Sequence, residues 1–336
     1  MEPKIKTYFF DTHSFEKKHF CEANLDAAHE LNFFEGKLSE KSAILAKDFP
    51  CVCAFVNDHL DENVLKILAQ NGTKLIALRS AGYNHVNLAA AKKLGLKVVR
   101  VPEYSPFSVA EHAVALILTL NRKIHKAYNR VREGNFSLEG LVGFDLHGKT
   151  VGVIGTGKIG KAFIRIMKGF GCHIVAFDRF PDHEFAKELG FHYSDLDQVL
   201  ISSEIISLHI PLSQDTRHMI DHKSLELMKR GVMLINTSRG ALIDSMSLIS
   251  ALKLGHVGSA GLDVYEEEEN YFFNDLSSQV LEDDVLVRLM TFPNVVLTSH
   301  QGFLTEEALT KIAQTTLFNM SQFERKEALT NEVVLV

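Results

Sequence analysis

Three segments in the second half of the chain carry side chains able to move a proton beside an anion: NTSRG with Arg239, DVYEEEE with Glu266 to Glu269, and LTSHQGF with His300. A guanidinium offers a planar fork for a carboxylate, and imidazole exchanges a proton near neutral pH. A carboxylate nearby can orient that imidazole and hold its charge. Together they are tools for acid/base chemistry on a small, negatively charged molecule. Each also has a plain structural use, an arginine on a surface or a histidine bonded within a loop. Position favours chemistry, because each follows an apolar run that predicts a strand, and parallel sheets bind ligands beyond the carboxyl ends of their strands.

Those strands belong to a series starting at Thr150: TVGVIG, HIVAFD, EIISLHIP, GVMLINTS, GSAGLDVY and NVVLTSH, with helical stretches between. The first runs into GTGKIG. There Gly155 permits a tight turn, Gly157 lets backbone approach a pyrophosphate, and Gly160 lets helix and strand pack closely. The N–H groups that open the next helix favour phosphate charge. Phe163, Ile166, Met167 and Phe170, spaced i, i+3, i+4, i+7, predict that helix. HIVAFD ends in Asp178, about where a carboxylate accepts from a ribose 2'-hydroxyl and repels a 2'-phosphate. A Rossmann-like unit for NAD rather than NADP is expected, with Arg179 the side chain that could offset the repulsion.

An earlier series, IKTYFF, CVCAFV, KLIALRSAG and KVVRVP, alternates with ENVLKILAQ and NLAAAKKLG and predicts a second, flavodoxin-like parallel sheet. Between the two lies a helical stretch from about Ser105 to Glu133, with Pro106 at its entry and Ser108 and Glu111 as a capping box. Its middle is apolar on every side, which predicts burial on several faces, either against a second copy of the chain as well as its own domain or wholly within one chain. After His300 an amphipathic helix, TEEALTKIAQTTLFNMSQFERKE, can return to the first unit. The expected α/β plan inserts a nucleotide-binding domain, residues 105–302, into a discontinuous substrate domain, residues 1–104 and 303–336.

A chain of 336 residues can hold two such cores. A net charge of -6 without a basic run gives no footprint for nucleic acid. The amino end lacks the apolar run of a secretion signal, and no apolar run reaches the ~20 residues needed to span a bilayer. Four cysteines suit a reducing cytosol. Cys51 and Cys53 form C-x-C with no second cluster, and the histidines are scattered, so no metal site is expected. A cytoplasmic enzyme without membrane or nucleic-acid partners is the expectation.

GTGKIG, HIPL at His209 to Leu212, NTSRGALID, the DVY-E-E-E run and the final histidine together resemble the D-isomer-specific 2-hydroxyacid dehydrogenases, over nearly the whole chain. RSAGYNHVNL, PEYSPFSVAEHA, NYFFNDLSSQVLEDDVLVRLM and HQGFLT look most similar to the fermentative branch that interconverts pyruvate and D-lactate with NAD. The resemblance implies that Arg239 binds the substrate carboxylate and polarises its 2-oxo group, that Glu268 is the partner glutamate, and that His300 is the acid/base. It places Ala81, Gly82 and Tyr104 at the substrate. Along NAD it places Gly155, Gly157, Lys158, Ile159, Gly160, Asp178, Ile210, Pro211, Thr216, Thr237, Ser238, Arg239 and Asp263. Glu266, Glu267 and Glu269 are expected to be solvated acids, and His112 and His209 to bond locally. Many members have His-Ile/Thr-Gly-Gly where this chain has His-Gln-Gly-Phe. Phe303 should therefore narrow the pocket and favour a small acid such as pyruvate. A dehydrogenase for a bulkier 2-oxo acid and an NADH-binding regulator without turnover are the alternatives, and a homodimer is the expected assembly.

Overall fold

The computed structural model describes residues 4–27 and 29–334. The chain divides into two compact units, Met1–Ser105 with Leu304–Val336, and Pro106–Phe303. In chain order the first contains β1 (Lys6–Phe9), α1 (Ser14–Ala27), β2 (Glu30–Phe33), β3 (Cys51–Ala54), α2 (Glu62–Gln70), β4 (Leu75–Leu78), α3 (Leu88–Lys93) and β5 (Lys97–Val99). CVCA and LIAL are buried at every residue, as strands of a parallel sheet covered on both faces must be. The strands are all parallel, in the order β2-β1-β3-β4-β5, one of the two common doubly wound arrangements. β2, ELNF, was not foreseen: it is a half-buried edge strand whose alternation of Leu31 and Phe33 with Glu30 and Asn32 spans only four residues.

The second unit runs through α4 (Pro106–Arg122), α5 (Ile124–Arg132), β6 (Thr150–Ile154), α6 (Lys158–Gly169), β7 (His173–Phe177), α7 (His183–Leu189), β8 (His192–Tyr193) and α8 (Leu196–Ser202). It continues through β9 (Ile205–Leu208), α9 (His222–Leu227), β10 (Val232–Asn236), α10 (Ser245–Lys253), β11 (Val257–Leu262), α11 (Asp284–Thr291) and β12 (Val295–Leu297). Its seven parallel strands lie in the order β12-β11-β10-β9-β6-β7-β8. The direction of winding reverses between β6 and β9, so a crevice opens beyond their carboxyl ends. The last helix, α12 (Glu306–Glu324), then packs on α1 and β4 of the first unit, where His29 Nε2 lies 2.8 Å from Ser321 Oγ.

Helix starts follow from short polar side chains. Asp61, Asp182, Asp195, Asp244, Asp283 and Thr305 accept from first-turn N–H groups of α2, α7, α8, α10, α11 and α12. Each such cap contributes about 1 kcal/mol. The stretch expected as one long helix is two. It breaks at Lys123, whose φ of 51° cannot continue a right-handed helix. Nor do Ser108 and Glu111 form a capping box: the helix already begins at Pro106, and buried Ser108 donates to the Gly302 carbonyl at 2.6 Å. Phe170 likewise falls just beyond α6 and is exposed, while Phe163 and Met167 are buried.

Apolar α4 is covered largely by its own unit, with Ala113, Val114, Leu116 and Ile117 packed in one cluster with Val151, Phe163 and Ile235. Exposed apolar surface lies instead on α5, which buries no residue, and on the segment after it.

Candidate functional site

Six of the second unit's strands deliver candidate residues just past their carboxyl ends. After β6 the chain turns at Gly155, with φ of 97°, where a Cβ would overlap the His209 carbonyl and the Ile210 side chain. At Gly160 a Cβ would overlap the Gly155 carbonyl, whereas the space over Gly157 is open. Lys158 and half-buried Ile159 open α6. The result is a cradle of main chain at a helix N-terminus, suited to a pyrophosphate.

After β7, Asp178 accepts from Thr156 N (2.6 Å), Thr156 Oγ1 (3.0 Å) and Phe180 N (2.8 Å), tying the glycine turn to the neighbouring strand. Arg179 points its guanidinium at Asp215 (3.0 Å), an exposed pair of small energetic weight.

After β9, Ile210 is half-buried, Pro211 is exposed, and Thr216 Oγ1 donates to the Pro211 carbonyl (2.8 Å) while accepting from Ser213 N (2.7 Å). His209 packs on Phe163 with ring centroids 4.9 Å apart and meets Ser207 Oγ through Nε2 at 2.9 Å. Its Nδ1 is buried without a partner among the described residues. Burial pushes this imidazole from an ordinary 6.5 down to about 3. The unfolded chain therefore binds a proton near pH 6.5 that the folded chain refuses. The resulting stability is full above pH 6.5 and is lost as pH falls toward 3, at about 1.4 kcal/mol per pH unit at most. His209→Gln should gain on the wild type by up to about 2 kcal/mol between pH 7 and pH 5 in urea unfolding. A constant difference would show that the folded ring accepts the proton.

After β10, Thr237 Oγ1 is buried and has no partner among the described residues. An orphan hydroxyl costs about 1–3 kcal/mol, so its place in this crevice fits a polar group of a bound nucleotide. Ser238 Oγ donates to the Leu208 carbonyl (2.7 Å), and Asn236 Nδ2 donates to the Arg239 carbonyl (2.9 Å). Gly240 lies so close to the Tyr265–Glu266 main chain that no Cβ fits. Arg239 is thus carried on a turn fixed against the segment that bears Glu268.

Glu268 and His300 meet. Oε1 of Glu268 is 2.6 Å from His300 Nδ1, and Oε2 accepts from Tyr265 N at 2.9 Å. With Nδ1 directed at the carboxylate, Nε2 is the atom left for proton exchange. His300 holds a left-handed backbone, φ 53°, and its N–H donates to the Asp263 carbonyl at 2.7 Å. Arg239 makes no direct bond to this pair; its Nη1 donates to the Ser238 carbonyl at 2.6 Å.

Asp263 is buried and anchors the loop of the histidine. Its carboxylate accepts from Thr298 Oγ1 (2.6 Å), Gln301 N (2.8 Å) and Gly302 N (2.8 Å), with His112 Nε2 3.2 Å away. Burial opposes its charge, but the bond and the charge of His112, together with the Thr298 hydroxyl, hold it below the usual carboxylate range. Asp263 was expected along NAD; its side chain is committed to this loop. His112 bonds as expected, though to a partner more than a hundred residues away. Glu266 is not the solvated acid that was expected: it joins His218 Nε2 at 2.6 Å and Arg217 Nη2 at 2.8 Å. Nothing in the spacing of these residues announces their contacts.

In the first unit, Ala81 and Gly82 follow β4. Their carbonyls accept from Arg100 Nη1 and Ser80 Oγ, both at 2.8 Å, while their N–H groups donate to nothing among the described residues. Tyr104 is half-buried after β5.

The model of the D-isomer specific 2-hydroxyacid dehydrogenase NAD binding domain matches residues 114–302. The chain is 52% identical to the D-lactate dehydrogenase of Escherichia coli over 98% of its own length and 100% of that protein. Among solved structures it is similar to the pyruvate reductase of Chlamydomonas reinhardtii, with 43% identity, a TM-score of 0.92 and coverage of 98% of this chain and 99% of that one. The D-lactate dehydrogenase of Lactobacillus jensenii with NAD+ aligns at 32% identity and a TM-score of 0.82, over 98% and 100% of the two chains.

Proposed function

Since the chain belongs to the NAD-dependent D-isomer-specific 2-hydroxyacid dehydrogenases, we propose that it reduces pyruvate to D-lactate and catalyses the reverse oxidation. The contact that carries this proposal is the 2.6 Å approach of Glu268 to His300, an acid/base couple beside a nucleotide cradle. NADH, when bound, supplies the hydride that adds to C2. His300 donates a proton from Nε2 to the 2-oxo oxygen as negative charge grows there, and Glu268 stabilises the imidazolium before transfer. Arg239 holds the carboxylate and stabilises the same oxygen. The unspent N–H groups of Ala81 and Gly82 suit a carboxylate oxygen, and Tyr104 lines the substrate. In the oxidation, neutral His300 takes the hydroxyl proton.

Gly155, Gly157 and Gly160 admit the pyrophosphate, Asp178 accepts from the ribose, and Thr237 offers its unpartnered hydroxyl. Phe303, almost fully buried two residues beyond Gln301, favours a small 2-oxo acid over branched or aromatic ones. Incubating the purified chain with NADH and a panel of 2-oxo acids, with stereospecific product analysis, tests this. Pyruvate should have the highest kcat/KM and give the D-isomer. NADH binding without turnover would overturn the proposal in favour of a regulator, and faster turnover of branched or aromatic acids in favour of a different substrate.

The proposed assembly is a homodimer built through α5 and the segment after it. Phe136, Leu138 and Val142 are 74%, 80% and 83% exposed, a run of apolar side chains that water does not favour. Val142→Asp with Leu138→Asp should convert the dimer to monomer by light scattering; an unchanged mass would move the interface elsewhere. Among the described residues no helix is long and apolar enough to cross a membrane. All four cysteines are free, which supports a reducing compartment, the cytoplasm.

A further inference from the structure

The residues after Glu268 turn back over the acid/base pair. Tyr271 N and Phe272 N both donate to the Glu268 carbonyl, at 3.0 and 2.9 Å, and Phe272 is buried. The far end of this segment is fastened where Tyr265 Oη donates to Asp283 at 2.7 Å, the residue that also caps α11. Between these fixings Phe273 has a left-handed backbone, φ 67°. Bulky side chains rarely adopt that conformation, and it persists only where the surroundings enforce it, as they do at functional sites.

What the turn achieves is the placement of a ring. The Phe273 centroid lies 6.1 Å from that of His300, tilted by 34°, and 6.4 Å from that of Phe303 in a near edge-to-face pair at 67°. One phenyl follows the catalytic histidine in the chain; the other is brought to it from across the segment that carries the glutamate. We infer that Phe273 is a specificity-determining residue, which with Phe303 forms an aromatic wall beside the His300 imidazole and limits the substrate to a small group on C2. The inference rests on the proposed 2-oxo acid reductase activity.

The wall explains size selection by a simple physical route. A methyl group fits beside two phenyl rings, whereas a branched or aromatic side chain must displace one of them, and Phe273 stands on a turn tied to Glu268. Phe273→Gly removes the ring and accepts the left-handed backbone without strain, and Phe273→Asn is a second small variant that tolerates the same φ.

The test is the ratio of kcat/KM for 2-oxoisocaproate to that for pyruvate, measured with NADH on one preparation of each enzyme. Because both substrates report on the same active molecules, loss of folded protein cancels from the ratio. It should rise about 10-fold or more in Phe273→Gly and Phe273→Asn, the scale at which a pocket distinguishes side chains by size, and stay near the wild-type value in Phe273→Tyr. Ratios within about twofold of wild type in both small variants, with the wild type active on pyruvate, would overturn this role for Phe273 alone. A wild type that reduces no 2-oxo acid would instead overturn the proposed activity, and this inference with it.

Discussion

Replacing His300 with alanine should lower kcat for pyruvate reduction by about 10^3-fold, within the range attributed to a positioned general acid. Affinity for NADH, followed by its fluorescence, should change by less than about threefold, since the cofactor is assigned to the glycine turn, Asp178 and Thr237 rather than to the imidazole. The pairing with Glu268 sharpens the test. With the histidine gone, the carboxylate keeps its bond from Tyr265 N but has no proton to steer. Glu268→Gln should therefore impair turnover in His300-containing enzyme and add little on top of His300→Ala, the non-additive pattern of residues that act as a unit. Loss of NADH affinity in His300→Ala, or full additivity, would remove the pair from the chemistry.

Arg239→Lys is expected to raise KM for pyruvate and to lower kcat, with kcat/KM falling by about 10^2-fold or more. Lysine keeps the charge but presents a single ammonium, which cannot hold two carboxylate oxygens in the plane of a guanidinium fork. The backbone of the turn should survive the change, because it is fixed by Asn236 and by the close approach of Gly240 to Tyr265, neither of which involves the arginine side chain. Steady-state kinetics together with an unchanged thermal midpoint would separate lost recognition from lost structure. An unaltered KM would take Arg239 away from the carboxylate.

Both sheets were legible from the sequence because their strands are short and buried on two faces, so CVCA and LIAL stand out as apolar runs. The glycine turn was legible for a steric reason: Gly155 and Gly160 sit where a side chain would overlap main chain. His300 and the acidic run stood out by their place after predicted strands, but only the resemblance picked Glu268 from that run and gave the pair its roles; as residue types, a glutamate in an acidic run and a histidine after a strand are ordinary. What escaped were features set by partners far away in the chain. Glu266 belonged by composition to a solvated run, yet His218 and Arg217 reach it from 48 and 49 residues away. Ser108 had the spacing of a cap, but the Gly302 carbonyl claims its hydroxyl. The break at Lys123 left no mark, since no glycine or proline accompanies it. Phe273 was part of a segment noted only for its likeness to relatives; its ring meets His300 through a backbone turn that no apolar periodicity encodes.

The single carboxylate of Asp263 gathers the loop of the acid/base residue together with His112, which belongs to a helix formed almost two hundred positions earlier. A substitution on the inner side of that helix is thereby transmitted to the loop of His300, the residue proposed to donate the proton. Attempts to retune this enzyme by altering α4 will change its chemistry as well as its packing, and variants that shift the helix by a fraction of an ångström should be recognisable by slowed proton transfer in a well-folded protein.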